Sequence, residues 1–186
     1  MKTGLRVSLL TLLLAATAWA VELPTPLREV KPELGPMGTA TLHWFGLHIY
    51  DVALYTQDGA YSTNGAAVLS IRYNISIKHR RLLETTLKEW QRMGKGTDGQ
   101  RAEWIKQLGA LWPDLKSGDR LTAFKRQEGP TQFYFGDRLL GEMPDPAFGP
   151  AFFAIWLDAK CRYPEVRDGL LGRKENERGL LENSRN

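Results

Sequence analysis

The chain has 186 residues, with 25 basic against 21 acidic side chains, a formal charge of +4, and 42% hydrophobic residues that include six tryptophans. That length fits one domain with a sizeable core, and the hydrophobic content excludes a disordered chain. The basic excess comes without a basic stripe or a recognition motif, which excludes a nucleic-acid reader.

Residues 1–20 have the three-part layout of a secretory signal peptide. Lys2 and Arg6 give a positive start, and Val7 to Ala16 is apolar except for Ser8 and Thr11. Ala18-Trp19-Ala20 is a small-x-small end of the kind signal peptidase cuts. The apolar run is shorter than the roughly 20 residues a bilayer span takes, so the mature chain is expected to carry no membrane span. The sequence therefore predicts cleavage near Ala20, a mature chain from Val21, and a periplasmic or secreted location. Lys2 and Arg6 leave with the signal peptide, so 25 basic residues become 23 against 21 acidic and the charge falls from +4 to +2. Cys161 is the single cysteine, so no internal disulfide is possible. A disulfide-free exported chain suits a bacterial periplasm, and Cys161 reads as a semi-buried small side chain near a helix end.

Residues 21–37 contain Pro24, Pro26, Pro32 and Pro36 and read as an extended lead-in. From Gly38 to Gln57 the pattern is that of strands. Ala40, Leu42 and Trp44 alternate with Thr39, Thr41 and His43, and a β-branched and aromatic run follows Gly46, the expected bulge or bend. Asp58-Gly59 carries turn chemistry. Residues 67–75 form another strand, with Leu69, Ile71 and Tyr73 on one face and Ser70, Arg72 and Asn74 on the other.

The period then becomes helical. Leu82, Leu83, Thr86, Leu87, Trp90 and Met93 make one stripe, ended by Gly94 and Gly96. Thr97 or Asp98 caps a second helix with Ala102, Ile105, Leu108 and Leu111 in its stripe, and Pro113 stops it. Glu84, Glu89 and Glu103 read as solvated helix positions. Strand character returns over residues 118–141, with turns at Glu128-Gly129-Pro130 and Gly136-Asp137. Asp145-Pro146 announces a helix whose body, Phe148 to Leu157, is apolar nearly all round and so expected to be buried, Ile155 and Trp156 included. A short helix from Pro164 to Leu171 ends at Gly172, and residues 173–186 form a polar tail.

Three segments in order carry a resemblance: Phe45-Gly46-Leu47-His48-Ile49-Tyr50-Asp51-Val52-Ala53-Leu54-Tyr55, then Trp112-Pro113-Asp114 with Gly118-Asp119-Arg120-Leu121, then Phe152-Phe153-Ala154-Ile155-Trp156-Leu157-Asp158. With Arg167 and Leu170-Leu171-Gly172 they resemble the exported bacterial members of the chalcone isomerase-like family, over about residues 38–172. The resemblance implies an α+β fold, an open-faced β-sandwich in which a large antiparallel sheet carries helices on one face. It implies less about activity. Plant chalcone isomerases use an Arg on an early hairpin strand with Thr, Tyr and Asn nearby, and non-enzymatic relatives bind fatty acids with an Arg and a Tyr on the carboxylate. Residues 38–47 hold no Arg, and Tyr50 stands roughly where the catalytic Thr would be, so chalcone isomerase activity and catalytic residues are not expected.

The residues themselves offer little catalytic chemistry. His43, His48 and His79 are not at metal-ligand spacing, and no nucleophile elbow, phosphate loop or dinucleotide fingerprint is present, so neither metal nor cofactor is expected. What remains is Arg72, Tyr73, Tyr50 and Tyr55 on neighbouring strands, a forked cation and phenols beside apolar walls, suited to a small amphipathic acid. Asp51 is expected to pair with a structural Arg such as Arg120. Three functions stay open: a non-catalytic periplasmic binder of a small amphipathic ligand such as a fatty acid, an isomerase or lyase, and a cell-envelope interaction module. A deep apolar cavity favours the first two, a titratable group buried beside it the second, and a filled core with an exposed apolar patch the third.

Overall fold

The computed structural model describes residues 21–173, so the expected signal peptide and nearly all of the expected polar tail lie outside the described residues. Six strands, β1 (Gly35–Trp44), β2 (Leu47–Thr56), β3 (Ala67–Tyr73), β4 (Arg120–Lys125), β5 (Thr131–Phe135) and β6 (Arg138–Met143), form one sheet in the order β1-β2-β3-β4-β5-β6. Every neighbouring pair is antiparallel. The long β3–β4 connection carries α2 (His79–Met93) and α3 (Asp98–Leu111), and α4 (Phe148–Leu157) and α5 (Pro164–Leu170) follow the sheet. This is the expected α+β open-faced sandwich, with α2 to α5 packed on one face.

Strand alternation builds the inner face in tiers. Leu42, Tyr50 and Tyr73 are register neighbours, then Val52, Ile71 and Leu121, then Leu54, Leu69, Ala123 and Phe133. The helices close over these tiers. Gly94 ends α2 in the left-handed region at φ 67°, and Thr97 caps α3 through a reciprocal box with Gln100. Pro150 is the third residue of α4, where its missing N–H would have had no acceptor. Gly38 and Gly169 allow β1 to touch α5, since a Cβ at Gly38 would run into the Gly169 and Leu170 carbonyls.

One end of this layer is solid. Trp90, Trp104, Phe148 and Phe133 meet edge to face, with ring centroids 5.1 Å apart for Trp90–Trp104 and 5.9 Å for Phe133–Phe148. Their indoles are satisfied: Trp90 Nε1 donates to the Ala151 carbonyl at 3.0 Å, and Trp104 Nε1 to Asp145 at 2.9 Å.

Five expectations need correction. The lead-in is not extended throughout: Thr25–Val30 is a helix, α1, because Pro26 falls in its first turn, where proline fits. The first strand starts at Gly35, ahead of Gly38. Leu23, Leu27 and Leu34 of this segment cover Val68, Phe124 and Tyr134 on the outer face of the sheet. Ile155 and Trp156 are only partly buried, unlike Phe152 and Phe153, because the layer opens beside them. Glu89 is buried, held by Arg92 and Arg162. Trp104, absent from the expected stripe of α3, is its most important core residue together with Leu108.

Candidate functional site

Beside the solid end the inner layer is hollow. A cavity of about 690 Å³ lies between the sheet and α2, α4 and α5, within the roughly 300–1,000 Å³ of small-molecule sites. Its deep wall is Leu69, Ala123 and Phe133 from the sheet and Phe152 from α4. Nearer the opening stand Leu42, Tyr50 and Tyr73, faced by Leu82 and Thr86 of α2 and by Ile155 and Trp156 of α4. Trp44, Lys78, Arg81, Lys88 and Arg162 line the opening. From Tyr73 to Leu69 is four residues of strand, about 13 Å at the usual rise.

The polar groups of this wall are unevenly satisfied. Trp156 Nε1 donates to Tyr50 Oη at 3.0 Å, which leaves the Tyr50 proton free to be donated. The Tyr73 hydroxyl has no hydrogen bond among the described residues, and Tyr50 and Tyr73 meet edge to face at 6.0 Å. Trp112 Nε1 also finds no partner among the described residues, but it is sealed from the cavity space, so the hydroxyls of Tyr73 and Tyr50 are the donors the wall presents. Burial pushes both phenols well above their usual titration range, so each stays a neutral donor. Buried polar groups nearly always find partners, so donors left over on a cavity wall call for an acceptor from outside the chain. Glu89, also on the wall, is occupied by Arg92 at 2.7 Å and Arg162 at 2.7 Å, which makes it a clamp between α2 and the segment after α4.

The structure divides the four residues expected to share a site. Tyr50 and Tyr73 line the cavity, whereas Arg72 and Tyr55 point to the opposite face of the sheet, as alternation along β2 and β3 requires. Tyr55 Oη donates to the Val21 carbonyl at 2.7 Å. Arg72 donates to Asp51 at 3.2 Å, so Asp51 pairs with Arg72, while Arg120 pairs with Asp137. Asp51 also accepts from Thr41 at 2.7 Å and Asn74 at 3.0 Å and bonds His48 at 2.8 Å. Burial opposes its charge, but the hydrogen bonds from Asn74, Thr41, His48 and Arg72 outweigh it and hold the carboxyl at about 2. His43 and His48 do share the outer face, as stacked cross-strand partners at 4.9 Å. Cys161 is partly buried, and burial raises its thiol above the usual range, away from the reactive thiolate. Among the described residues no group of three or more His, Cys, Asp or Glu could hold a metal ion, and no helix is long and apolar enough to cross a membrane.

Sequence reasoning missed Trp112, Trp156 and Arg162 as cavity residues, because their contacts, Trp112 with Phe133 and Phe152, Trp156 with Tyr50 and Arg162 with Glu89, span stretches of chain that no local pattern records. The alternation of β3, which puts Tyr73 and Arg72 on opposite faces, was the one signal that could have separated them.

The sequence profile of the chalcone isomerase-like family matches residues 15–172. An uncharacterized protein of Haemophilus influenzae is 29% identical over 144 residues, covering 76% of this chain and 69% of its own. Among solved structures, a fatty-acid binding protein of Arabidopsis thaliana superposes with a TM-score of 0.60 at 8% identity, over 76% of this chain and 88% of that one.

Proposed function

This chain belongs to the chalcone isomerase-like family, and on that premise we propose that it is a non-catalytic, exported binder of a small amphipathic acid such as a fatty acid. The observation that carries the reading is the cavity of about 690 Å³, apolar at depth and bearing unpartnered donors near its opening. The acid's oxygens accept from the hydroxyls of Tyr73 and Tyr50, and its chain runs inward past Ile71 to Leu69, Phe133 and Phe152. Arg72 has no part in this, being on the other face with Asp51. The fatty-acid binding named for the Arabidopsis thaliana protein of like fold agrees with such a ligand. A catalytic reading is weaker. The buried phenols remain protonated at neutral pH, and the one carboxylate on the wall, Glu89, is tied to two arginines. Export agrees with the signal-like layout of residues 1–20.

The test is titration of a fluorescent fatty acid into the purified mature protein. Wild type and Arg72→Ala should bind alike, Tyr73→Phe should bind about five- to tenfold more weakly, as loss of one hydrogen bond implies, and Ala123→Phe should not bind. Equal affinity in wild type and Ala123→Phe, or no binding to wild type, would remove the cavity reading. N-terminal sequencing of protein recovered from the periplasm should begin at Val21.

A further inference from the structure

The β1–β2 hairpin tip is the most apolar exposed part of the described molecule. Trp44, Phe45 and Leu47 are 55%, 88% and 57% exposed in consecutive or near-consecutive positions. The turn between the strands is Phe45-Gly46, with φ of 46° and 77°. Both residues at positive φ make the two-residue turn that matches strand twist and strongly prefers Asn-Gly. Phenylalanine there is a backbone cost, since bulky side chains rarely enter the left-handed region. Inside the protein that cost gains little, because the Phe45 ring is held out in solvent, and its one aromatic contact among the described residues is with Trp44, edge to face at 4.8 Å.

The position of this tip gives it a use. Trp44 is both part of the exposed tip and part of the cavity opening. Around the same opening stand Lys78, Arg81, Lys88 and Arg162, and the side chains of Lys78, Arg81 and Arg162 are 82%, 70% and 52% exposed. The carboxylates near them are Asp114 on Lys78, Glu84 on Arg81 at 3.8 Å, and the buried Glu89 on Arg162. An aromatic and aliphatic wedge beside a ring of cations is the combination that seats a protein on an anionic bilayer: the apolar tip enters the acyl boundary and the cations meet the headgroups.

We propose that the Trp44–Leu47 hairpin tip, with the cations of the cavity opening, docks this protein on the surface of an anionic lipid bilayer, placing the opening against the lipid. The purpose of this docking rests on the carrier reading above; the docking surface itself stands on the tip and the opening. A ligand with a long apolar chain then passes between bilayer and cavity without crossing water.

The experiment is sedimentation of the mature protein with vesicles of phosphatidylcholine alone or with a third phosphatidylglycerol, comparing wild type, Phe45→Asn and Phe45→Asn with Leu47→Thr. Wild type should bind the anionic vesicles, less so at high salt, with a blue shift of tryptophan emission. Phe45→Asn should lower the partition coefficient at least about tenfold while raising the melting temperature, since it supplies the residue the turn prefers. The paired rise in stability and loss of binding separates a docking role from a folding role. No binding of wild type to anionic vesicles, or equal binding by Phe45→Asn, would overturn the proposal. A concentration-dependent dimer abolished by Phe45→Asn, without vesicle binding, would overturn it in favour of a second copy on the tip. The fluorescent fatty acid titration in vesicle-free buffer keeps the two readings apart: vesicle binding without ligand binding upholds the docking surface and defeats the carrier reading, and the reverse pattern does the opposite.

Discussion

The two ends of the inner layer are built from the same kinds of residue and finish differently. At the solid end Trp90, Trp104, Phe148 and Phe133 fill the space between sheet and helices, and both indole N–H groups reach an acceptor. At the hollow end Tyr73 and Tyr50 face a cavity with hydroxyl protons to spare among the described residues, and Trp112 Nε1 is left buried without a partner there. Close packing and satisfied polar atoms are what stability alone selects. An end that departs from both, beside one that meets both, is where the proposed ligand would sit. The outer face of β2 and β3 makes the same point in reverse, for there Asp51 collects Thr41, His48, Arg72 and Asn74 into one closed cluster.

The largest effect should come from emptying the solid end. Trp90→Ala should cost about 3–5 kcal/mol in denaturant melts, the range for deleting a large core aromatic. Trp156→Ala, at the partly exposed edge of the cavity, should cost only about 1–2 kcal/mol, from less buried surface and the lost bond to Tyr50. Equal costs would erase the distinction between the two ends.

Next is the outer cluster. Asp51→Asn should cost about 1 kcal/mol at neutral pH. The folded carboxyl titrates at about 2, below its ordinary 3.8, so its contribution is present above pH 4 and is lost as pH falls through 2. Melting temperatures of wild type and Asp51→Asn should therefore converge between pH 4 and pH 2. A constant gap across that window would show that Asp51 acts only through shape.

The smallest effect on stability should be at Tyr73→Phe, within about 0.5 kcal/mol, because its hydroxyl has no partner to lose among the described residues. A loss above 1 kcal/mol would mean that the hydroxyl is already satisfied, and the contrast with Trp90 and Trp104 would weaken.

Much of the fold was legible in the sequence because it follows from local periods. The alternation of Leu69, Ile71 and Tyr73, the stripe of α2, the Thr97 cap and the apolar α4 each announced an element and its inner face. Pro26 misled, since proline breaks a helix interior yet suits a first turn, and only the docking of Leu27 on the outer face decides between them. The lining of the candidate cavity was half legible. Tyr50 and Tyr73 were found as phenols on neighbouring strands. Arg72 was drawn in by its chemistry, although the alternation already placed it on the other face, and its partner Asp51 lies on a different strand. Trp112, Trp156 and Arg162 reach the cavity through tertiary packing, and Glu89 is buried only because Arg92 and Arg162 neutralise it, which no helical period reveals.

The hollow end as a ligand cavity is tested most directly by native mass spectrometry of the mature protein recovered from the periplasm, alongside Ala123→Phe recovered the same way with an unchanged melting profile. The account predicts that wild type carries an amphipathic acid that leaves on collisional activation, and that Ala123→Phe is bare. Wild type that is bare and stays bare after incubation with fatty acid, or Ala123→Phe carrying the same adduct, would contradict it.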